Sequence, residues 1–191
     1  MKPFKLFFIA LVALTLFSSC SKNDDDTQPV EAEPQFPMKT LLEIGPMELT
    51  DTVTDLDSFI ELGYEFKAFK NGKITALGVR IPNNGEFRVT LWNSVTEEIL
   101  ATQMVTSTSG LLSFEDIAPI HINSGTRYLV SVNTNSYYFF YDSGEIVFPA
   151  EADDFIITTC AYTYGADQNF PSVTVSDQYA GMVDIKFVPE N

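Results

Sequence analysis

Histidine and cysteine are almost absent from this chain of 191 residues: His121, Cys20 and Cys160 are the whole supply. Zinc centres and Cys–His nucleophiles draw on several such side chains at set spacings, so almost no material exists for either. Basic residues are also scarce, 11 Lys plus Arg against 26 Asp plus Glu, which gives a formal charge of −15 and a pI near 4.2. That balance argues against nucleic acid as a partner, since phosphates demand a basic surface. No apolar run reaches the roughly 18 residues that a membrane-spanning helix needs. The ten glycines never cluster into a phosphate-cradling loop, and no Asp-x-Asp-x-Asp-Gly calcium loop is present. No window of a dozen residues carries apolar positions at helical spacing behind a cap.

What is there begins with an address. Lys2 and Lys5 precede an apolar run from Leu6 to Phe17, broken only by Thr15, and small residues follow at Ser18 and Ser19. This is the layout of a secretory signal peptide, here residues 1–19. Leu16-Phe17-Ser18-Ser19-Cys20 resembles the lipobox of bacterial lipoproteins, in which the cysteine is acylated, for example with palmitate, and becomes the new N-terminus. The resemblance makes Cys20 the lipidation site and the membrane a partner through that anchor. The next residues, Lys22-Asn23-Asp24-Asp25-Asp26, resemble an acidic export tag that sends lipoproteins to the outer face of the outer membrane. With Pro29, Pro34 and Pro37 and few large apolar side chains, residues 20–37 read as a flexible acidic tether.

From residue 38 to 191 the chain reads as one β domain. Hydrophobic residues make up 45 % of the sequence and charged ones 19 %, a globular balance. Tyr64 to Lys70 alternates apolar and polar; Asn71-Gly72 then supplies a hairpin turn, with Lys73 to Ile81 as the return strand. Phe87, Val89 and Leu91 share one face of the next strand, which turns Trp92 to the other face. Further strands are expected at Ile99–Val105, Leu111–Phe114, Ile117–Ile122, Arg127–Asn133, Tyr137–Tyr141, Phe155–Tyr164 and Met182–Val188. So many short strands between turns predict an all-β fold, a two-layer antiparallel β-sandwich of jelly-roll-like form.

The order of several short patterns carries a resemblance. Glu61-Leu62-Gly63-x-x-Phe66, Gly72-x-Ile74-x-x-Leu77, Val89-Thr90-Leu91-Trp92, Leu100-Ala101, Pro119-Ile120-x-Ile122-x-x-Gly125-Thr126-x-Tyr128 and Val183-Asp184-Ile185-x-Phe187 follow one another. Over residues 47–188 the chain is similar to an uncharacterised family of bacterial extracellular β domains. Two positions depart from it: Gly78 stands where members often carry Arg, and Leu111 where a Trp is usual. The resemblance implies a fold, a surface location and neighbours that are often glycan-active modules. It carries over no catalytic residues.

Candidate chemistry is sparse. His121 lies between Ile120 and Ile122 and should project outward from its strand, without the nucleophile and orienting acid that a catalytic base needs. Cys160 is left without an intrachain partner and, in the apolar run Phe155–Ala161, reads as a buried, inert thiol. Glu151, Asp153 and Asp154 have carboxylates suited to calcium but at spacings typical of a solvated acidic loop. No catalytic residue, metal or other cofactor is expected, and the chain reads as a binding protein, not an enzyme. The aromatic residues are the remaining lead. Tyr137 to Tyr141 are five rings in succession, so one face of that strand must meet something other than the core. Tyr162 and Tyr164 share a face just ahead of Gly165-Ala166-Asp167-Gln168-Asn169. Tyr137, Tyr141, Tyr162 and Tyr164 are therefore the candidate ligand-binding residues, with a neutral carbohydrate as the expected ligand. A structural or protein-binding role in the cell envelope is the alternative.

Overall fold

The computed structural model describes residues 32–45, 47–108, 110–141 and 147–190, and the leader, Cys20 and the Asp24–Asp26 acids lie outside them. Residues 32–191 form a compact unit by themselves. In chain order the elements are α1 (Pro37–Ile44), β1 (Glu48–Val53), β2 (Ile60–Ala68), β3 (Gly72–Val79), β4 (Gly85–Asn93), β5 (Ile99–Ser107) and β6 (Ser113–Ile122). Then come β7 (Arg127–Thr134), β8 (Tyr137–Tyr141), β9 (Ala150–Ala152), β10 (Phe155–Tyr164), β11 (Val173–Val175), β12 (Gln178–Gly181) and β13 (Val183–Pro189).

These strands form a two-layer antiparallel β-sandwich. One layer is a seven-stranded sheet ordered β11-β10-β2-β7-β4-β5, with β9 beside β10. The other layer is built from two three-stranded sheets, β13-β3-β6 and β1-β8-β12. Alternation along each strand decides what meets between them. Tyr64, Phe66, Val89, Leu91, Val130 and Val132 point inward from the large sheet, against Ile74, Leu77, Ile185 and Phe187 from the other side. Rings pack across and within the layers: Phe155 meets Phe187 of the other layer edge-on at 4.8 Å, and Phe66 stacks on Tyr128 of the adjacent strand at 5.9 Å. Each ring removed from water in this way contributes roughly 2–3 kcal/mol.

Three expectations need correction. Asn71-Gly72 does not make a hairpin: the chain bends at Phe69 and Lys70, and Gly72 already opens β3. β2 pairs with β7 and β10, whereas β3 pairs with β13 and β6, so the chain crosses from one layer to the other between them. A turn signal reports that the chain reverses; burial on both faces of β2 decides that its ladder partners come from elsewhere. The two short strands expected around residues 111–122 are one strand, β6, with a register shift between Asp116 and Ile120 that accommodates Pro119. The third correction is a helix. Pro37 to Ile44 is helical, too short for a dozen-residue window to reveal, and it buries Met38 and Leu41 on one side.

That helix also moves the boundary of the folded body. Gln35, placed in the tether by its composition, exchanges backbone hydrogen bonds with Phe187 in both directions, at 2.7 and 3.0 Å. Its side chain donates to Asp154 at 2.7 Å. Asp184, wholly buried in β13, accepts from the backbone N–H groups of Met38 at 3.1 Å and Lys39 at 2.8 Å. An acid distant in sequence thus caps the first turn of a helix whose own preceding residue, Phe36, offers no side-chain cap.

Candidate functional site: a ring-lined cleft at one end of the sandwich

Along β10 the alternation turns Cys160, Tyr162 and Tyr164 to the core-facing side and Ala161 to the outer side, where it joins Trp92, Leu129 and Phe170. β2 runs antiparallel alongside, with Tyr162 opposite Leu62 and Tyr164 opposite Ile60. Here β8 and β12 of the other layer lie over β2 and β10. Phe140 turns into the core and stacks on Tyr179 at 6.0 Å. Tyr137 and Phe139 turn the other way and line a shallow cleft of about 130 Å³ together with Tyr162, Tyr164 and Gln178.

The fold therefore brings together three of the four candidate tyrosines, from strands 25 positions apart in sequence. Tyr162 and Tyr164 meet edge to face, 5.7 Å between centroids at 80°. Tyr164 is the most open, 72 % exposed, whereas Tyr137 and Tyr162 are half-buried. Burial, then the neighbouring Tyr164 and Asp51, push the Tyr137 phenol above its ordinary range, so it stays a neutral hydroxyl able to donate. Tyr141 ends β8 in register with Glu48 and Gln178. Phe139 and Gln178 line the same cleft and were missed; the signal for Phe139 was its two-residue spacing from Tyr137.

The other candidates resolve simply. His121 projects outward beside Glu190, 3.6 Å away. Cys160 is buried, and burial pushes its thiol up to about 11, which keeps it protonated and unreactive. The acidic loop is put to structural use: Asp154 pairs with Lys70 at 3.0 Å and Asp153 accepts from Thr40 at 2.8 Å. Among the described residues, no three His, Cys, Asp or Glu side chains converge as metal ligands. The outer face of the large sheet holds a polar network that sequence reasoning also missed. Trp92 donates to Ser131 at 2.9 Å, Ser131 donates to the buried Glu61 at 2.6 Å, and Glu61 pairs with Arg88 at 3.0 Å. The chain after β10 lies over this network, with Gln168 donating to Thr90 and Thr102.

Compared with known families, residues 48–180 match the one described as Domain of unknown function (DUF4082), from β1 to β12. The match ends ahead of the closing Val183–Phe187 run. No curated protein matches the chain.

Proposed function

The chain belongs to the DUF4082 family, whose description states no activity, and from its own residues we propose a non-catalytic binding domain for neutral carbohydrate, lipid-anchored through Cys20 at the outer face of the outer membrane. The observation that carries this reading is the convergence of Tyr137, Phe139, Tyr162 and Tyr164 on one open cleft. Sugar rings present apolar faces that stack on aromatic side chains, while groups such as the Gln178 amide and the tyrosine hydroxyls take up the sugar hydroxyls. The acidic balance favours neutral over polyanionic glycans, because a chain of charge −15 repels the latter until salt screens it.

The test is a glycan array probed with the 32–191 unit. Neutral glycans are expected to bind, with Tyr164→Ala or Tyr162→Ala weakening binding at least tenfold and His121→Ala leaving it unchanged. Absence of binding to every neutral plant, host and microbial glycan overturns the reading. The alternative, a protein-binding role in the envelope, draws on the exposed pair Phe59 and Tyr164, which flank the paired ends of β2 and β10. Recovery of a single envelope protein by the wild type, lost in Phe59→Ser, would favour it.

A further inference from the structure

A second cleft lies between α1, β1 and the corner where β5 turns toward β6. Its volume is about 350 Å³, at the lower end of small-molecule sites. Met47, Phe140 and Met182, all buried, form the floor, and Leu42, Leu49 and Leu112 stand around it. Three charged residues face this space: Lys39, Glu43 and Arg80. Lys39 and Glu43 are one helical turn apart and pair with each other at 3.9 Å.

Arg80 is the unusual member. The chain holds three arginines, and Arg88 and Arg127 each face a carboxylate, Glu61 at 3.0 Å and Glu65 at 3.6 Å. Arg80 has no carboxylate partner among the described residues, in a protein whose acids outnumber its bases 26 to 11. It is nevertheless held firmly. Its backbone N–H donates to Met182 at 2.9 Å and its Nε to the Gly110 carbonyl at 2.8 Å. The guanidinium carbon sits 5.4 Å from the centre of the Tyr138 ring. One edge and one face are thereby committed, and among the described residues the terminal amines meet no acceptor, which leaves them to an outside one. A guanidinium fixed in this way meets a carboxylate with little loss of side-chain freedom. Beside an apolar floor, that geometry selects a ligand with two unlike ends.

We propose that this cleft binds a small amphipathic carboxylate, an aryl or short acyl body seated on Met47, Phe140 and Met182 with its carboxylate on the terminal amines of Arg80. The site is separate from the ring-lined cleft, and its ligand class is opposite in charge preference to the neutral glycan proposed there.

The test uses the 32–191 unit with methyl-labelled methionine and 3-phenylpropionate as the probe, read by NMR. Saturable shifts are expected at the Met47 and Met182 methyls. The neutral 3-phenylpropionamide should bind at least tenfold more weakly, a comparison that needs no variant to fold. Arg80→Gln should cost about the same factor, and Arg80→Lys should recover part of it by keeping the charge without the fork. Leu49→Trp, at a half-exposed wall, should fill the space and abolish binding with Arg80 still in place. Absence of saturable shifts, equal binding of acid and amide, or shifts confined to residues outside this cleft would each overturn the proposal.

Discussion

Asp184 shows how much one side chain carries here. It accepts from Met38, Lys39 and its neighbour Ile185 through backbone N–H groups, and from the Tyr64 hydroxyl at 3.2 Å. Burial outweighs those donors and raises its carboxyl to about 6, while Tyr64 and Tyr179, pushed up by the same burial, stay neutral around it. The folded protein thus holds this proton more tightly than the unfolded chain, whose aspartates titrate near 4. Its contribution to stability is complete below that unfolded value and is lost as pH rises through about 6. Denaturant titrations at pH 4.5 and 7.5 should show this as roughly 2 kcal/mol of pH dependence that Asp184→Asn flattens. Asp154 works in the opposite sense. Burial alone would raise it, but hydrogen bonds from Gln35 and Lys70 prevail and hold it low, so its contribution is lost as pH falls. Sequence could identify the quiet residues, because a cysteine in an apolar run and a histidine between two isoleucines have few environments open to them. Asp184 and Glu61 were harder to read: each is an acid at an alternating strand position, which normally means solvent. Their burial depends on what the rest of the chain lays over them, α1 in one case and the loop after β10 in the other.

At the scale of elements, the strands were legible and their partners were not. Period-two alternation marks Phe87–Leu91, Tyr128–Val132 and Val183–Phe187, and in all three the apolar face is buried. Pairing depends on contacts far apart in sequence, which is why Asn71-Gly72 was read as a hairpin turn when the chain there passes between layers. The short strands β1, β9, β11 and β12 escaped notice because three to six residues leave little periodicity to count. Helix α1 escaped for the same reason, and its stability comes from docking, since eight residues do not hold a helix in water. Leu41 is 4 % exposed and packs in the main core. Leu41→Ala should therefore destabilise the whole domain by about 2–4 kcal/mol, seen as a lower denaturant midpoint at unchanged slope. If α1 were an appendage, the midpoint would not move.

For the whole molecule, the sandwich rests on packing among the described residues, with Cys160 buried and free of any disulfide. The anchor proposed at Cys20 is tested on the complete chain. Cys20→Ala should move the protein out of the membrane fraction and abolish metabolic labelling with a fatty acid, and protease shaving of intact cells should remove the wild type. The ring-lined cleft was half legible at this scale: the tyrosines stood out by crowding, but only the fold brings residues 137–139 against 162–164. The docking of Gln35 has a mechanical side. Gln35 is bonded to Asp154, which stands immediately ahead of Phe155, the first residue of β10, whereas Tyr164 is the last. Nine steps of an extended strand separate those points, roughly 30 Å. Gln35 thus docks at one end of β10 and the rings occupy the other. With the anchoring proposed through Cys20, drag on a captured ligand would act between these two ends and draw tension along β10.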